Sequence, residues 1–99
     1  MIYHVTTPAL WDEALEKGYY EAASLHSEGF IHCSAKEQVK GVLERYYQNQ
    51  PNLLLLHIYE SKLTAELKYE PAPSVNELFP HIYGRLNVDA VARAVEIAS

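Results

Sequence analysis

The sequence predicts a small α+β domain with a mainly antiparallel, twisted sheet, and three observations carry that prediction. Three short apolar runs each enclose one histidine: Tyr3-His4-Val5-Thr6, Gly29-Phe30-Ile31-His32-Cys33-Ser34 and Phe79-Pro80-His81-Ile82-Tyr83-Gly84. Between and after them lie stretches with apolar residues at helical spacing. The run from Leu53 to Tyr59 is apolar on both faces, as a central strand covered on both sides would be.

Taken in order, Ile2 to Thr6 opens the chain as a strand, and its period of two puts Ile2, His4 and Thr6 opposite Tyr3 and Val5. Thr7-Pro8 starts a helix with a hydroxyl cap and proline in the first turn. Leu10, Trp11, Ala14 and Leu15 form its apolar stripe, and Gly18 stops it. Tyr19 to Ala22 reads as a short strand and Ser24 to Gly29 as a polar loop. In the second histidine strand Phe30, His32 and Ser34 oppose Ile31 and Cys33. Ser34 is placed to cap a helix from Ala35 to about Gln48, with Glu37 completing a capping box. Val39, Val42, Leu43 and Tyr46 share one face of that helix, and Pro51-Asn52 ends it.

After the central strand a further strand is expected at Leu67 to Glu70, then a turn at Pro71-Ala72-Pro73-Ser74. The third histidine strand sets Phe79, His81 and Tyr83 opposite Ile82. A final helix is expected from about Val88 to Ala98, with Val88, Val91 and Val95 on one face and Asn87 as its cap.

With 99 residues the chain forms a single domain, residues 1–99, large enough for one core. Its 48% hydrophobic and 21% charged content is ordinary for a globular protein. Thirteen acidic against 8 basic residues, a formal charge of −5, disfavour a polyanion-binding surface, so long nucleic acid is not an expected partner. A small anionic ligand is still allowed. Cys33 is the single cysteine, which excludes an intrachain disulfide and fits a reducing compartment. The start lacks a signal-type leader, and the longest apolar run, Leu53 to Leu56, is too short to span a bilayer. A cytoplasmic protein without a membrane partner is the expectation. The pattern specifies no oligomeric state.

A histidine on the buried face of a strand must find hydrogen-bond partners, since an unpaired buried polar group costs about 1–3 kcal/mol. Three such positions point to a polar cleft cut into a sheet. A serine-capped helix directly after a strand, at Ser34-Ala35, is a plausible seat for a phosphate. Cys33 alternates away from His32 and belongs to the core rather than to a nucleophile. His4, His32 and His81 are the ligand type of catalytic zinc, yet they come from separate strands without compact spacing, so no metal is expected. His26 and His57 are read as loop or surface residues. For each candidate a plainer role stands open: His4 as a structural histidine, Ser34 as a helix cap, Glu70 as a solvated carboxylate, Tyr83 as core or cleft wall.

These motifs, with Trp11, Gly18-Tyr19, Glu28-Gly29 and Gln38 in the same order, resemble a small, mostly bacterial family, domain of unknown function 952, over about residues 2 to 95. That family is similar in fold to the ADP-ribosyltransferases and the tRNA 2′-phosphotransferases, whose split sheet encloses a cleft for NAD. The resemblance therefore implies an ADP-ribosyltransferase-like split sheet with flanking helices. It implies that His4 holds the nicotinamide-side ribose and that His32-Cys33-Ser34 matches the phosphotransferases' histidine-x-serine motif. Cleaving the nicotinamide–ribose bond also needs a group to hold the leaving ring and a carboxylate beside the developing positive charge. Tyr83 or Tyr20 would supply the first and Glu70 the second. The implied site is thus Glu70 and His32 as catalytic residues, with His4, Thr6, Ser34, His81 and Tyr83 binding NAD or a related nucleotide. The implied activity is transfer or hydrolysis of ADP-ribose. The chain departs from the pattern in two ways: it lacks a glutamate-x-glutamate pair, and Arg85 and Arg93 are the only arginines of its C-terminal third. Those departures keep a non-catalytic nucleotide- or metabolite-binding domain as the alternative, with a histidine-based metal site behind it.

Overall fold

The computed structural model describes residues 1–72 and 75–97. In chain order its elements are β1 (Ile2–Thr6), α1 (Pro8–Lys17), β2 (Tyr19–Tyr20), α2 (Ala23–Ser27), β3 (Ile31–His32), α3 (Val39–Tyr46), β4 (Leu53–Ile58), β5 (Glu66–Ala72), β6 (Glu77–Tyr83), β7 (Leu86–Asn87) and β8 (Val91–Ile97). Short 3-10 turns precede α3 at Lys36–Gln38, follow β4 at Glu60–Lys62 and precede β8 at Val88–Ala90. The architecture is mixed α and β, and every strand pairing is antiparallel.

Two three-stranded sheets, β1-β4-β8 and β3-β6-β5, make up most of the fold, and β2-β7 forms a separate ribbon. One backbone bridge, between Tyr3 and Ser34, links β1 to the chain after β3. Tyr3 N–H donates to Ser34 O at 2.8 Å and Ser34 N–H returns to Tyr3 O at 2.7 Å. Beyond that pair β1 and the chain after β3 diverge, and the divergence leaves room for a cleft.

Alternation sets the core. Ile2 of β1, Leu56 and Ile58 of β4, Ile31 of β3, Ile82 of β6 and Leu86 of β7 are fully buried. The central position of β4 explains its lack of a polar face: Leu53, Leu54, Leu56 and Ile58 are all buried. α1 is bounded as its sequence suggests. Thr7 is extended and its hydroxyl accepts from Leu10 N–H at 3.3 Å, while Pro8 opens the first turn. Gly18 closes the helix at φ 88°, a left-handed conformation that its missing side chain makes inexpensive, and donates to Ala14 O at 2.8 Å.

Several expectations are corrected. The expected final helix is instead the turn Val88–Ala90 followed by β8; its end at Ala98 lies outside the described residues. Val91, Val95 and Ile97 are β-branched residues that also fit a period of two, and β4 needs a second strand neighbour on that side. Asn87, expected as a helix cap, instead ties the turn: its Nδ2 donates to Lys62 O at 2.9 Å and its Oδ1 accepts from Thr64 N–H at 3.1 Å. Ser34 caps no helix: it bridges Tyr3, and the N-cap position falls one residue later, on Ala35. The following helix starts as a 3-10 turn, and Gln38 rather than Glu37 folds back, its Oε1 accepting from Ala35 N–H at 2.8 Å. The Ser24–Gly29 loop contains the short helix α2. The strand expected at 67–70 runs from Glu66 to Ala72, admitting Pro71 because β5 is a sheet edge. Pro73 and Ser74 of the expected turn lie outside the described residues. Among the described residues no helix is long and apolar enough to cross a membrane.

Candidate functional site

A cleft of about 690 Å³ opens where the two sheets diverge. His4 and Thr6 of β1, His32 of β3, Ser34, and His81 of β6 all line it, so the fold brings five of the seven expected site residues to one place. Glu70 and Tyr83 do not line it. Helix α3 supplies Val42 and Tyr46 to the facing wall, and Tyr47 follows directly after.

His4 is buried with both ring nitrogens occupied. Nδ1 is 2.5 Å from the His32 carbonyl oxygen, and Nε2 is 2.8 Å from the Tyr20 hydroxyl, which also lies 2.9 Å from Thr6 Oγ1. A carbonyl only accepts, so Nδ1 carries the proton and donates to His32 O. In the neutral ring Nε2 then accepts the Tyr20 proton, and the Thr6 hydroxyl donates to the Tyr20 oxygen. Burial pushes the His4 pKa down to about 4, which keeps the ring neutral, while the bond to the His32 carbonyl opposes that shift. Burial likewise pushes Tyr20 up to about 12. Tyr20, considered for stacking, is spent on this chain and meets His4 edge-on, with ring centroids 5.1 Å apart. The chain fixes β3 against β1 through the His32 carbonyl.

The second cluster surrounds His81. Its Nδ1 lies 2.8 Å from Glu70 Oε1, and the Tyr83 hydroxyl donates to the same oxygen at 2.5 Å. Phe30 stacks on the imidazole, with centroids 4.1 Å apart and planes 20° from parallel, and also contacts Tyr83 and His32. The bonds from Tyr83 and His81 hold the Glu70 carboxyl below its ordinary range, and the carboxylate in turn raises the Tyr83 hydroxyl. Nδ1 of His81 therefore donates to the carboxylate. Nε2 has no partner among the described residues, and no buried side-chain nitrogen or oxygen is left without one. The nitrogen is accordingly accessible from the cleft. Glu70 stands behind the wall, in contact with His81.

His32 sits at the rim with its side chain 53% exposed, and its Nε2 is 3.0 Å from Glu28 Oε2. This corrects the expectation of a core-facing ring: Ile31 and Cys33 turn inward and His32 outward. Cys33 is buried, and burial raises its thiol pKa. At the expected phosphate seat after Ser34, the Ala35 amide donates to Gln38 Oε1. Among the described residues no three histidine, cysteine, aspartate or glutamate side chains converge to hold a metal ion. Both ring nitrogens of His4 are hydrogen-bonded, so in this arrangement it offers no free ligand atom.

Two contributors went unassigned in the sequence. Phe30 shares the face of His32, a relationship visible in the alternation, but its stacking on His81 depends on the β3–β6 register that sets His32 opposite His81. Glu21 lines the cleft with a carboxylate only 18% exposed, held by Arg85 Nε at 3.0 Å. Arg85 keeps its carboxyl below the usual range. No local signal marked it, since its partner lies 64 residues away.

Residues 5–94 match the family described as protein of unknown function, DUF952. The chain belongs to this family. Its fold is similar to the crystal structure of protein CC0527 from Caulobacter crescentus, with a TM-score of 0.89 and 35% identity over 98% of this chain and 85% of that one. The solution NMR structure of CC0527 gives a TM-score of 0.83 at 35% identity, over 97% and 83% of the two chains. No curated protein is similar to this chain. The matched segment contains His32, Glu70, His81 and Tyr83 and begins directly after His4.

Proposed function

We propose that the cleft binds NAD or a related nucleotide and that the protein transfers or hydrolyses ADP-ribose on an ADP-ribosyltransferase-like split sheet. The observation that carries this reading is His81: one nitrogen is fixed by Glu70, one face is covered by Phe30, and the other nitrogen is open to the cleft. Two antiparallel sheets linked by one backbone bridge beside that cleft agree with a split sheet. The volume falls within the range of about 300–1,000 Å³ usual for small-molecule sites.

In this reading His81 is the catalytic residue and Glu70 the positioning residue behind it. Nε2 takes the proton of water or of an acceptor hydroxyl as that oxygen bonds to ribose C1′. The bond from C1′ to the nicotinamide nitrogen breaks, and its electron pair stays with the nicotinamide. The Glu70 carboxylate stabilises the imidazolium so formed. His4, Tyr20 and Thr6 keep the floor rigid, so Ser34 and His32 hold their places on the cleft wall.

Incubation with NAD, followed by chromatography of released nicotinamide, tests the reading. Release is expected, and His81→Asn should slow it by about 10²–10⁴-fold, the usual range for a lost general base, with NAD affinity kept. Retained affinity without release would identify the non-catalytic binding domain, the reading favoured by the position of Glu70 outside the cleft. Release unchanged in His81→Asn would contradict the assignment of the base.

A further inference from the structure

We infer that the cleft is selective for a ribosylated aromatic cation and excludes phosphate, so that it takes the pyridinium riboside half of NAD or such a nucleoside on its own. The inference deepens the nucleotide reading above and rests on it. Its basis is the charge of the wall. Aromatic rings from Phe30, Phe79, Tyr46 and Tyr47 line the cleft, and the carboxylates that line it are Glu21 and Glu28. Among the described lining residues there is no lysine or arginine.

The cations nearby are committed elsewhere. Arg85 donates to Glu21 Oε2, and its guanidinium lies 4.0 Å from the centre of the Tyr19 ring. Lys17 borders a smaller recess of about 290 Å³ that shares Glu21 with the cleft, but its ammonium pairs with Glu13 at 3.1 Å. His32 at the rim faces Glu28. The amide that would receive a phosphate after Ser34 donates to Gln38. A phosphate inside the cleft would exchange water for two carboxylates, which already occupy Arg85 and His32, and would find no lysine or arginine among the described lining residues. A pyridinium ring meets the opposite conditions, with ring faces and carboxylates that both favour a cation. Glu21 lines the cleft, and its Oε1, 3.7 Å from His26 Nε2, lies beyond hydrogen-bond distance of that ring and would accept from a ribose hydroxyl.

Calorimetric titration with nicotinamide riboside, NAD and ADP tests this. The riboside should bind within about threefold of NAD, and ADP should bind at least about tenfold more weakly than either. Replacing both carboxylates, Glu21→Gln with Glu28→Gln, should weaken the riboside by about tenfold. Tight binding of NAD and ADP without binding of the riboside would overturn the inference and leave the NAD reading intact. Riboside affinity unchanged in the double variant would also overturn it. Failure of all three ligands would overturn both readings together.

Discussion

The Tyr20 hydroxyl is the buried partner of His4, 2.8 Å from its Nε2, and it links that ring to Thr6. Tyr20→Phe strips this hydroxyl from a buried chain of hydrogen bonds. It leaves the His4 lone pair and the Thr6 hydroxyl without their partner, at an expected cost of about 1–3 kcal/mol. Urea unfolding of Tyr20→Phe, Thr6→Val and the double variant measures it. The double variant should lose less than the sum of the two, because the groups belong to one chain.

His4 makes stability depend on pH in a defined window. Its folded pKa is depressed to about 4, below the ordinary histidine value of 6.5. Between those values the unfolded chain binds a proton that the folded one does not, so stability falls as pH drops from 6.5 towards 4 and levels below it. The loss over the window reaches roughly 3 kcal/mol. Denaturation of the wild type and of His4→Gln at a series of pH values should show this slope in the first and a flatter curve in the second. Glu21 and Glu70, both depressed, lose their own contributions at lower pH in either protein.

Gly84 cannot take a side chain. Its φ is 155°, and a Cβ there would stand 2.8 Å from the Cβ of Ala65. Gly84→Ala should destabilise by about 1–3 kcal/mol, read from the denaturation midpoint, because strain and overlap act together where β6 ends.

Cys33 should be inert in the folded protein. It is 3% exposed, and burial raises its thiol pKa, so the thiolate that reacts with iodoacetamide is scarce at pH 8. Mass spectrometry should find no labelling in buffer and full labelling in urea. Rapid labelling of the native protein would contradict the inward orientation of Cys33.

Elements whose signals are local were legible in the sequence. Thr7-Pro8 and Gly18 bound α1 because capping depends on adjacent residues, and Leu53–Ile58 reads as central because both of its faces are apolar. β8 was not legible, since Val88, Val91 and Val95 fit a helical spacing and only the unsatisfied side of β4 decides for a strand. The same distinction holds at the site. Period two places Phe30 beside His32, and the histidine runs mark the cleft. Which histidine keeps a free nitrogen depends on partners from other strands: Tyr20 and the His32 carbonyl for His4, Glu70 for His81. Glu70 was legible as a carboxylate near the site but not as the residue behind His81, because that follows from the β5–β6 register.

Titration of isotope-labelled protein with NAD, followed through its amide chemical shifts, tests the central claim most directly. The account predicts saturable shifts at His4, Phe30, His32, Ser34 and His81, with residues on the far side of β8 such as Glu96 unmoved. Shifts absent at millimolar NAD, or confined to residues away from the cleft, would contradict it.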